Sequence, residues 1–516
     1  MKQRYRFINV CLLIAFIIII SIPLLAVNKT GGEISSSENR VLASFPSFTL
    51  NGGLNTQFIS QFENWFSDNL GLRDKLVIAN TKIQYNMFGE ITRDNVILGK
   101  NNWLYLMYPN MVKAYQNLDL LTQTDSELYK IRFSQLKGYL NEENIPFITM
   151  INPNKETIYP EYMPDSIVKT NNPPRTDKVI EILRRELNID IFNPKSALVK
   201  GKENGVVYSQ NYDLTHWNSK GSFIGYTELM NHVKAYYPDV KILKEKDFDI
   251  EMTNRESMLY GAIPFNETDY IYNYKKEYSA TEDTKTVSSM DFSKNNNVFR
   301  YVNNSDNDLP KALILGDSYI YMSMLPFLSE SFSELTFIHW NNMDQIKNYI
   351  SAFQPDVFIL EFLEPALDDY VKNINYNEGY FDSAKDFRTL PVTKKPSKDL
   401  MWLDSINNEV ANVENIVSIN SDEPIAHLIG WALDPQAGTT ANNIYLKVGN
   451  KYYSGNYGTV RESVSNYFQN NNLINSGFTF DISTKELLSA GKFNFEIISK
   501  DKTYKYVTNE YKISPK

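Results

Sequence analysis

The stretch KALILGDSYIYMS, residues 311–323, joins an apolar run to a small polar tripeptide. Its first six residues, Lys311–Gly316, predict a buried strand, and Asp317 and Ser318 follow directly after it. A serine hydroxyl becomes a nucleophile only when a base takes its proton and a third group orients that base. Ser318 is therefore either a nucleophile or an ordinary polar residue in a strand-to-helix turn, depending on what the rest of the chain supplies.

Amphipathic segments alternate with short apolar runs on both sides of this stretch. The apolar runs predict further strands at 146–151, 188–192, 334–340 and 355–364. Helical periodicity occupies the segments between them, at 125–145, 176–187, 219–237 and 344–354, with Ser219 as a predicted N-cap. This alternation predicts an α/β domain in which a parallel sheet is covered by helices on both faces.

Changes of pattern predict the other domain boundaries. We assign residues 58–388 to the α/β domain, with a hairpin at 95–106 and a polar insertion of loops and short strands at 237–310. A Pro-containing linker, 389–401, precedes a segment with period-two alternation, 402–516, which predicts an antiparallel β-sandwich.

The N-terminus predicts a membrane anchor. Residues 7–27 contain no charged side chain and are long enough, as a helix, to cross the roughly 30 Å hydrocarbon layer. Lys2, Arg4 and Arg6 precede this run, so residues 1–27 should form a cytoplasmic tip and a single transmembrane helix, with the remainder outside the cell. A cleaved signal peptide is the alternative, although no clear A-x-A site follows. Residues 28–57 then read as an extended membrane-proximal stalk.

Composition restricts the partners of the external part. The only cysteine, Cys11, lies in the anchor, so disulfides do not hold the external domains together. Removing the three positive charges of the tip from the net charge of −9 leaves −12 for the rest of the chain. An acidic surface does not suit nucleic acid. No metal-ligand spacing, nucleotide fingerprint or phosphate loop is present, and we expect no cofactor.

A base for Ser318 must come from one of four histidines. His232 and His427 lie in a predicted helix and in the predicted β-sandwich, where packing or surface roles are expected, and no carboxylate shortly precedes His339. His216 differs, because Asp213 lies three residues before it and a predicted helix starts just after it. This spacing can place both side chains on one side of a turn, with the aspartate bonding one imidazole nitrogen and the other left for the serine.

The blocks GDSY (316–319) and DLTHW (213–217) resemble those of the SGNH/GDSL hydrolase superfamily. Their order is permuted, since the Asp–His block precedes the Ser block. That order is similar to the alginate O-acetylation proteins and the related DHHW proteins of Gram-positive bacteria. Other stretches share this resemblance: ENRVLASFP, FENWFSDNLGLRDKL, VILGKNNWLYL, NPNKETIYPEYMP, HWNSKG and PDVFILEFLE. It covers roughly residues 38–365. Alginate-type proteins usually carry Asp two residues before His, where this chain has Leu214.

The resemblance implies an SGNH-like fold, a Ser318–His216–Asp213 triad and a cell-surface location in a Gram-positive bacterium. It also implies a polysaccharide acceptor and a multi-spanning membrane O-acyltransferase (MBOAT) that supplies acetyl groups. The Gly and Asn blocks that usually form the oxyanion hole are not recognisable, so the Ser318 N–H with Asn341 or Asn342 is the candidate. Further candidates for substrate binding are Trp217, Lys155, Tyr159 and Tyr319. For the first three of these, a packing or loop-fixing role is the alternative.

Three functions follow from this pattern. The first is a membrane-anchored O-acetyltransferase that acts on a cell-surface or secreted polysaccharide through an acyl-serine. The second is a polysaccharide acetyl-esterase with the same residues, because the acceptor depends on how well the cleft excludes water. The third is a catalytically silent glycan-binding scaffold. The C-terminal module resembles β-sandwich modules of bacterial surface-glycan enzymes, which implies either carbohydrate binding or partner docking.

Overall fold

The structure is a computed structural model. The residues it describes are 2–29, 32–35, 41–50, 52–91, 95–259, 263–290, 292, 294–304, 308–373, 376, 379–393, 400–411 and 415–516. Part of the predicted stalk and the middle of the predicted linker, residues 394–399, lie outside these ranges.

A seven-stranded sheet forms the centre of the α/β domain. Its strands in chain order are β1 (Phe147–Asn152), β2 (Asp190–Phe192), β3 (Ala280–Glu282), β4 (Val298–Asn303), β5 (Lys311–Gly316), β6 (Glu334–His339) and β7 (Val357–Leu363). The spatial order is β2-β1-β7-β5-β6-β4-β3. β5 lies in the middle, with Leu313 paired to Phe358 of β7 and Gly316 paired to His339 of β6.

The sheet is mixed, which corrects the prediction of a purely parallel sheet. β2, β1, β7, β5 and β6 run parallel, whereas β4 pairs antiparallel with β6 and β3 pairs antiparallel with β4. Both antiparallel strands come from the predicted insertion, residues 237–310, which thus extends the sheet edge. The rest of that segment holds a long hairpin of two strands, Phe248–Leu259 and Ile263–Tyr274, in place of the short strands predicted.

Helices cover both faces of the sheet, because the central strands are apolar on both sides. Ile314 and Ile359 face one core with the helix Ser219–Tyr236, whereas Leu313 and Phe358 face the other. The remaining helices of this domain are Pro109–Tyr115, Gln123–Glu142, Lys155–Ile158, Arg175–Leu187, Lys195–Gly201, Thr284–Ser288, Ser318–Tyr321, Leu325–Ser329, Ile346–Phe353 and Ala366–Asn373. The predicted hairpin is present as Val96–Leu98 paired with Leu104–Leu106.

The N-terminal helix, Lys2–Leu25, is apolar and largely exposed over Arg6–Leu25, and its length and composition suit a membrane span. The helices Phe58–Asn69 and Arg73–Ile83 and a π-helical turn, Gln84–Phe88, precede the α/β domain. The described part of the predicted stalk packs on the first of these. The Ala43 N–H donates to Asp68 at 2.9 Å, and the Phe45 ring lies 4.7 Å from that of Trp65.

The C-terminal strands form two six-stranded sheets around a shared core. One sheet contains Met401–Ile406, Glu409–Val410, Ile425–Asp434, Thr439–Thr440, Asn456–Thr459 and Gly477–Ser483. The other contains Ile416–Ile419, Asn443–Val448, Lys451–Ser454, Lys492–Ile498, Lys505–Val507 and Tyr511–Pro515, and the first and last of these pair in parallel. Phe478 and Phe495 meet between the sheets at 5.4 Å. The helices Glu462–Phe468 and Thr484–Ala490 accompany them.

The C-terminal sheets also pack against the α/β domain, along the helix Ile346–Phe353. The Asn348 amide donates to Thr479 at 2.9 Å, and the Ser351 hydroxyl donates to the Ser454 carbonyl at 2.6 Å. The two parts therefore share a polar interface.

Candidate active site

Ser318 lies at the carboxyl end of the central strand β5, at the start of the short helix Ser318–Tyr321. Asp317 fixes this turn, because its carboxylate accepts hydrogen bonds from the Tyr319 N–H at 2.9 Å and the Leu363 N–H at 2.8 Å. The second bond ties the turn to the end of β7. Ser318 is half-buried, so its hydroxyl is fixed in place while remaining reachable.

His216 and Asp213 meet Ser318 from the segment that precedes the helix Ser219–Tyr236. The His216 Nε2 atom lies 2.7 Å from the Ser318 Oγ atom, and the His216 Nδ1 atom lies 2.9 Å from the Asp213 Oδ2 atom. The other Asp213 carboxylate oxygen accepts the N–H groups of Thr215 at 2.8 Å and His216 at 2.9 Å. We call Ser318, His216 and Asp213 the hydrogen-bonded triad.

The hydrogen bonds of Asp213 determine its ionisation. Burial raises the pKa of the Asp213 carboxyl, but the hydrogen bonds and charge of His216, with the Thr215 N–H, outweigh burial and hold this pKa well below its ordinary value. An ionised Asp213 accepts a hydrogen bond from the His216 Nδ1 atom when that atom carries the proton. The Nε2 atom is then free to accept the Ser318 proton, which is the arrangement that general-base catalysis needs.

Lys155 holds the segment that carries Asp213. Its side chain is 1 % exposed, and its Nζ atom donates to the carbonyls of Leu104 at 2.7 Å, Asp213 at 2.9 Å and Gln210 at 3.2 Å. Burial lowers the pKa of the Lys155 amine to about 7. Through these three carbonyl groups, Lys155 connects the backbone at Leu104 to the segment of Gln210 and Asp213 and fixes the position of Asp213.

Glu267, on the strand Ile263–Tyr274, holds the same segment from another side. Its buried carboxylate accepts from the Ser209 hydroxyl at 2.8 Å and from the N–H groups of Asn211 at 2.8 Å and Tyr212 at 3.0 Å. The Ser209 hydroxyl in turn accepts the Asp213 N–H at 2.7 Å. The predicted insertion thus contributes directly to the position of Asp213.

Glu361 lies beneath the Ser318 turn. It is fully buried on β7, and its carboxyl accepts the Asp317 N–H at 2.8 Å and the Asn152 amide at 2.5 Å. It also shares a side-chain hydrogen bond with Asp317. Burial and the neighbouring Asp317 charge raise the pKa of Glu361 well above its ordinary value. A protonated Glu361 can donate to the Asp317 carboxylate, so the two carboxyls support the turn together.

Four residues that the sequence suggests for substrate binding are buried and bonded within the protein. The Trp217 Nε1 atom donates to the Tyr319 carbonyl at 3.2 Å and to Ser323 at 3.1 Å, and its ring packs edge-on against Tyr319. The Tyr319 hydroxyl donates to the Thr215 carbonyl, and the Tyr159 hydroxyl accepts the Val207 N–H. In the structure, Trp217, Tyr159 and Tyr319, like Lys155, are thus held by contacts within the protein, and their role as substrate contacts stays a prediction.

The two asparagines suggested for the oxyanion hole also differ in environment. Asn342 is 2 % exposed and its amide donates to the Asn295 carbonyl at 2.8 Å, so it is already occupied in the protein. Asn341 is half-buried, and its N–H donates to the His339 Nδ1 atom at 3.2 Å. Only Asn341 has a side chain with access to solvent.

The other histidines have local partners. His232 stacks on Phe192 at 3.9 Å and bonds Asp190 at 2.7 Å, and His427 bonds Asp481. His339 caps the turn that follows β6. The N-cap of the helix Ser219–Tyr236 is Asn218, whose side chain accepts the Gly221 N–H, which corrects the prediction of Ser219.

A cleft of about 740 Å³ lies beside the segments that carry the triad, although no member of the triad lines it. Its lining includes Thr215, adjacent to His216, and Leu363, whose N–H is held by Asp317. Tyr108, Asn110 and Lys169 also line it. Mixed polar, aromatic and charged walls suit a hydrophilic ligand such as a glycan. In the described part of the chain, no three His, Cys, Asp or Glu side chains are grouped to hold a metal ion.

The part of the chain that carries the triad is similar to known proteins. Residues 96–342 match the family model of the SGNH hydrolase-like domain of the acetyltransferase AlgX, which confirms the resemblance identified in the sequence. This range includes all three members of the triad. A comparison with curated proteins finds no match.

Similar solved structures share 15% sequence identity with this chain. Bacillus cereus PatB1 has a TM-score of 0.40, covering 54% of this chain and 99% of its own. The O-acetyltransferase domain of Pseudomonas putida AlgJ has a TM-score of 0.36, covering 56% and 97%. A DHHW family protein from Eubacterium siraeum has a TM-score of 0.33, covering 47% and 89%.

Proposed function

We propose that this protein is a membrane-anchored extracytoplasmic O-acetyltransferase that moves an acetyl group through Ser318 onto a hydroxyl of a cell-surface or secreted polysaccharide. The observation that carries the proposal is the hydrogen-bonded triad, with its 2.7 Å and 2.9 Å contacts. The match to an acetyltransferase domain over residues 96–342 supports the type of group transferred. The Asp–His block precedes the Ser block, which we interpret as a permuted SGNH arrangement.

In the first half of the reaction, the Ser318 Oγ atom attacks the carbonyl carbon of an acetyl donor and its proton passes to the His216 Nε2 atom. Asp213 stabilises the resulting imidazolium through its bond to Nδ1. The donor's leaving group departs with the proton from His216, and acetyl-Ser318 remains. The Ser318 N–H is our candidate donor to the oxyanion, with Asn341 as a second one.

In the second half, a sugar hydroxyl in the adjacent cleft attacks the acetyl carbonyl carbon. His216 accepts the hydroxyl proton and returns it to the Ser318 Oγ atom as the acyl–serine bond breaks. The acetylated sugar leaves and the triad is restored. If water takes the place of the sugar, the acetyl group is hydrolysed. The same residues would then act as an acetyl-esterase whenever water reaches the acyl-enzyme.

The location follows from the first helix. Arg6–Leu25 has the length and apolar composition of a membrane span, and its side chains are exposed. An uncleaved anchor would keep Ser318 near an acetyl supply at the membrane, for which an MBOAT protein is the proposed partner. We further propose that residues 402–516 form an accessory β-sandwich domain, joined through a linker to the catalytic domain.

The test uses the full-length chain in detergent with a chromogenic acetyl ester. We expect an acetyl mass increase on the wild-type protein and none on the Ser318→Ala variant, with a folded protein in both cases. Glycan acceptors added afterwards distinguish the two enzymatic functions, because transfer in excess of hydrolysis identifies a transferase. Ester turnover that is equal in wild type and Ser318→Ala would contradict the triad, and complete inactivity of folded wild type would favour a scaffold.

A further inference from the structure

A second polar pocket, of about 170 Å³, lies where the C-terminal sheets pack against the α/β domain. Lys347 and Tyr380 line it from the α/β side, and Asn442, Tyr457 and Lys500 line it from the C-terminal side. No member of the hydrogen-bonded triad lines it. The volume suits a group the size of one monosaccharide.

Lys347 presents a buried amine to this pocket. It lies on the helix Ile346–Phe353, is 1 % exposed, and its Nζ atom lies 4.9 Å, 5.9 Å and 6.0 Å from the ring centres of Tyr380, Tyr445 and Tyr139. Within the described ranges, this Nζ atom makes neither a hydrogen bond nor an ion pair. Burial lowers the pKa of the Lys347 amine to about 7, so an anionic ligand placed beside it would stabilise its charged form.

Two further donors in the pocket are unused. Asn442 is 7 % exposed, and its side-chain oxygen is a buried acceptor without a partner among the residues described, which a sugar hydroxyl could donate to. Its amide nitrogen donates to none of them. Lys500 is exposed at the rim, and its Nζ atom has no ion-pair partner in the described parts of the chain.

Two acidic groups lie near Lys347. Asp382 and Glu143 are the acidic groups that act on Lys347. Asp382 is paired with Lys502 at 2.7 Å, and burial raises the pKa of Glu143. Asp382 is therefore already paired with another lysine, and neither acid forms an ion pair with the Lys347 Nζ atom among the residues described.

We propose that this pocket binds the carboxylate of an acidic sugar unit, with Lys347 and Asn442 as its donors. The carboxylate accepts hydrogen bonds from the Lys347 Nζ and Asn442 Nδ2 atoms, Lys500 adds charge at the rim, and the sugar hydroxyls face Thr440 and Asn475. The site holds a glycan at the junction of the two domains and is independent of the chemistry at Ser318.

The experiment is calorimetric titration of the full-length chain in detergent with sodium glucuronate, glucose and inorganic phosphate. We expect glucuronate to bind at one site per chain and to bind more tightly than phosphate, and glucose to show no binding. In the Lys347→Met variant, affinity for glucuronate should fall at least tenfold, because a charge-assisted hydrogen bond contributes about 1.5–3 kcal/mol.

Two control variants separate this site from the catalytic cleft. Ser318→Ala should bind glucuronate as wild type does, even if it has lost ester turnover. Lys169→Met removes a lysine that lies over Tyr115 in the larger cleft, and it should also bind normally. Loss of binding in Lys169→Met with normal binding in Lys347→Met would place the anion in the catalytic cleft and overturn the proposal.

Other outcomes are equally decisive. Equal binding of glucose and glucuronate, no binding of glucuronate, or equal affinity for phosphate and glucuronate would each overturn a site for an acidic sugar. If Lys347→Met does not fold, the exposed Lys500→Met variant replaces it. We expect Lys500→Met to weaken glucuronate binding several-fold with an unchanged fold, and unchanged affinity would count against the proposal.

Discussion

Gly316 and Glu361 allow a quantitative test of how the serine turn is built. A Cβ atom added at Gly316 would lie 2.6 Å from the Glu361 Oε2 atom and 3.2 Å from a ring carbon of Phe337. Glu361 cannot easily move away, because its carboxyl is bonded to Asp317 and Asn152 at 2.8 Å and 2.5 Å. We therefore expect Gly316→Ala to lower the free energy of unfolding by about 1–3 kcal/mol, the usual cost of overpacking.

The Glu361→Ala variant changes this expectation. It leaves the Asp317 N–H and the Asn152 amide without their acceptor, and each buried unpaired group costs about 1–3 kcal/mol. The same change removes the oxygen that the new Cβ atom would meet at 2.6 Å. In this background, Gly316→Ala should cost less than about 1 kcal/mol. The two substitutions should therefore be coupled by roughly 1–2 kcal/mol.

The assay is urea unfolding of wild type, the two single variants and the double variant, followed by far-UV circular dichroism, which does not depend on ester hydrolysis at the Ser318 turn. Gly430→Ala in the C-terminal sheets is a matched control, since its Cβ atom would lie 2.3 Å from the Trp402 carbonyl oxygen, away from Glu361. Its cost should be additive with Glu361→Ala. If Gly316→Ala is also additive with Glu361→Ala, the contact with Glu361 does not explain the glycine and our interpretation is refuted.

Three further predictions concern the surroundings of the triad. Asp213→Asn should reduce the rate of ester hydrolysis by about 10³–10⁴-fold. Folding lowers the pKa of Asp213, so the stabilisation that its charged form contributes should be lost as the pH falls below about 4. The free energy of unfolding should therefore fall less steeply with decreasing pH in Asp213→Asn than in wild type. Equal slopes in the two proteins would contradict this. Lys155→Met should reduce kcat by up to about 10²-fold with little change in KM, and a raised KM alone would indicate substrate contact. Burial lowers the pKa of Lys155 to about 7, so between pH 7 and 10 only the unfolded state binds this proton. The free energy of unfolding of wild type should therefore rise over this range, and Lys155→Met should lack the rise. Trp217→Phe should cost about 1–2 kcal/mol of unfolding free energy with an unchanged KM for glycan, whereas sugar stacking would raise KM and leave stability unchanged.

The sequence predicts the central strands well because their apolar runs are long and bounded. β5, β6 and β7 lie within the predicted segments, β1 ends one residue beyond its own, and their side chains face two separate cores. The sequence predicts short strands somewhere in residues 237–310, but it does not predict that β3 and β4 extend the central sheet. Pairing with the edge of an existing sheet depends on tertiary structure, and the hydrophobic periodicity of the sequence does not predict it.

The triad is predictable for a different reason. Four histidines leave few candidates, and only His216 combines an aspartate at short range with a following helix. The groups that support it were either missed or given another role. Lysine and glutamate are usually exposed, so the residue types alone do not indicate that Lys155 and Glu361 are fully buried. The one available signal for Glu361 is its position within an apolar strand run directly after Leu360, where an exposed carboxylate would not be expected.

The two buried groups also explain how residues from separate segments can maintain a 2.7 Å contact. Ser318 is positioned by β5 and by the carboxyl of Glu361, whereas Asp213 is positioned by Lys155 and by Glu267 from the hairpin. The first set belongs to the parallel sheet, and the second depends on the segment that interrupts it. The geometry of the triad therefore depends on both, and the strand Ile263–Tyr274 of the long hairpin supports it without contributing an atom to it.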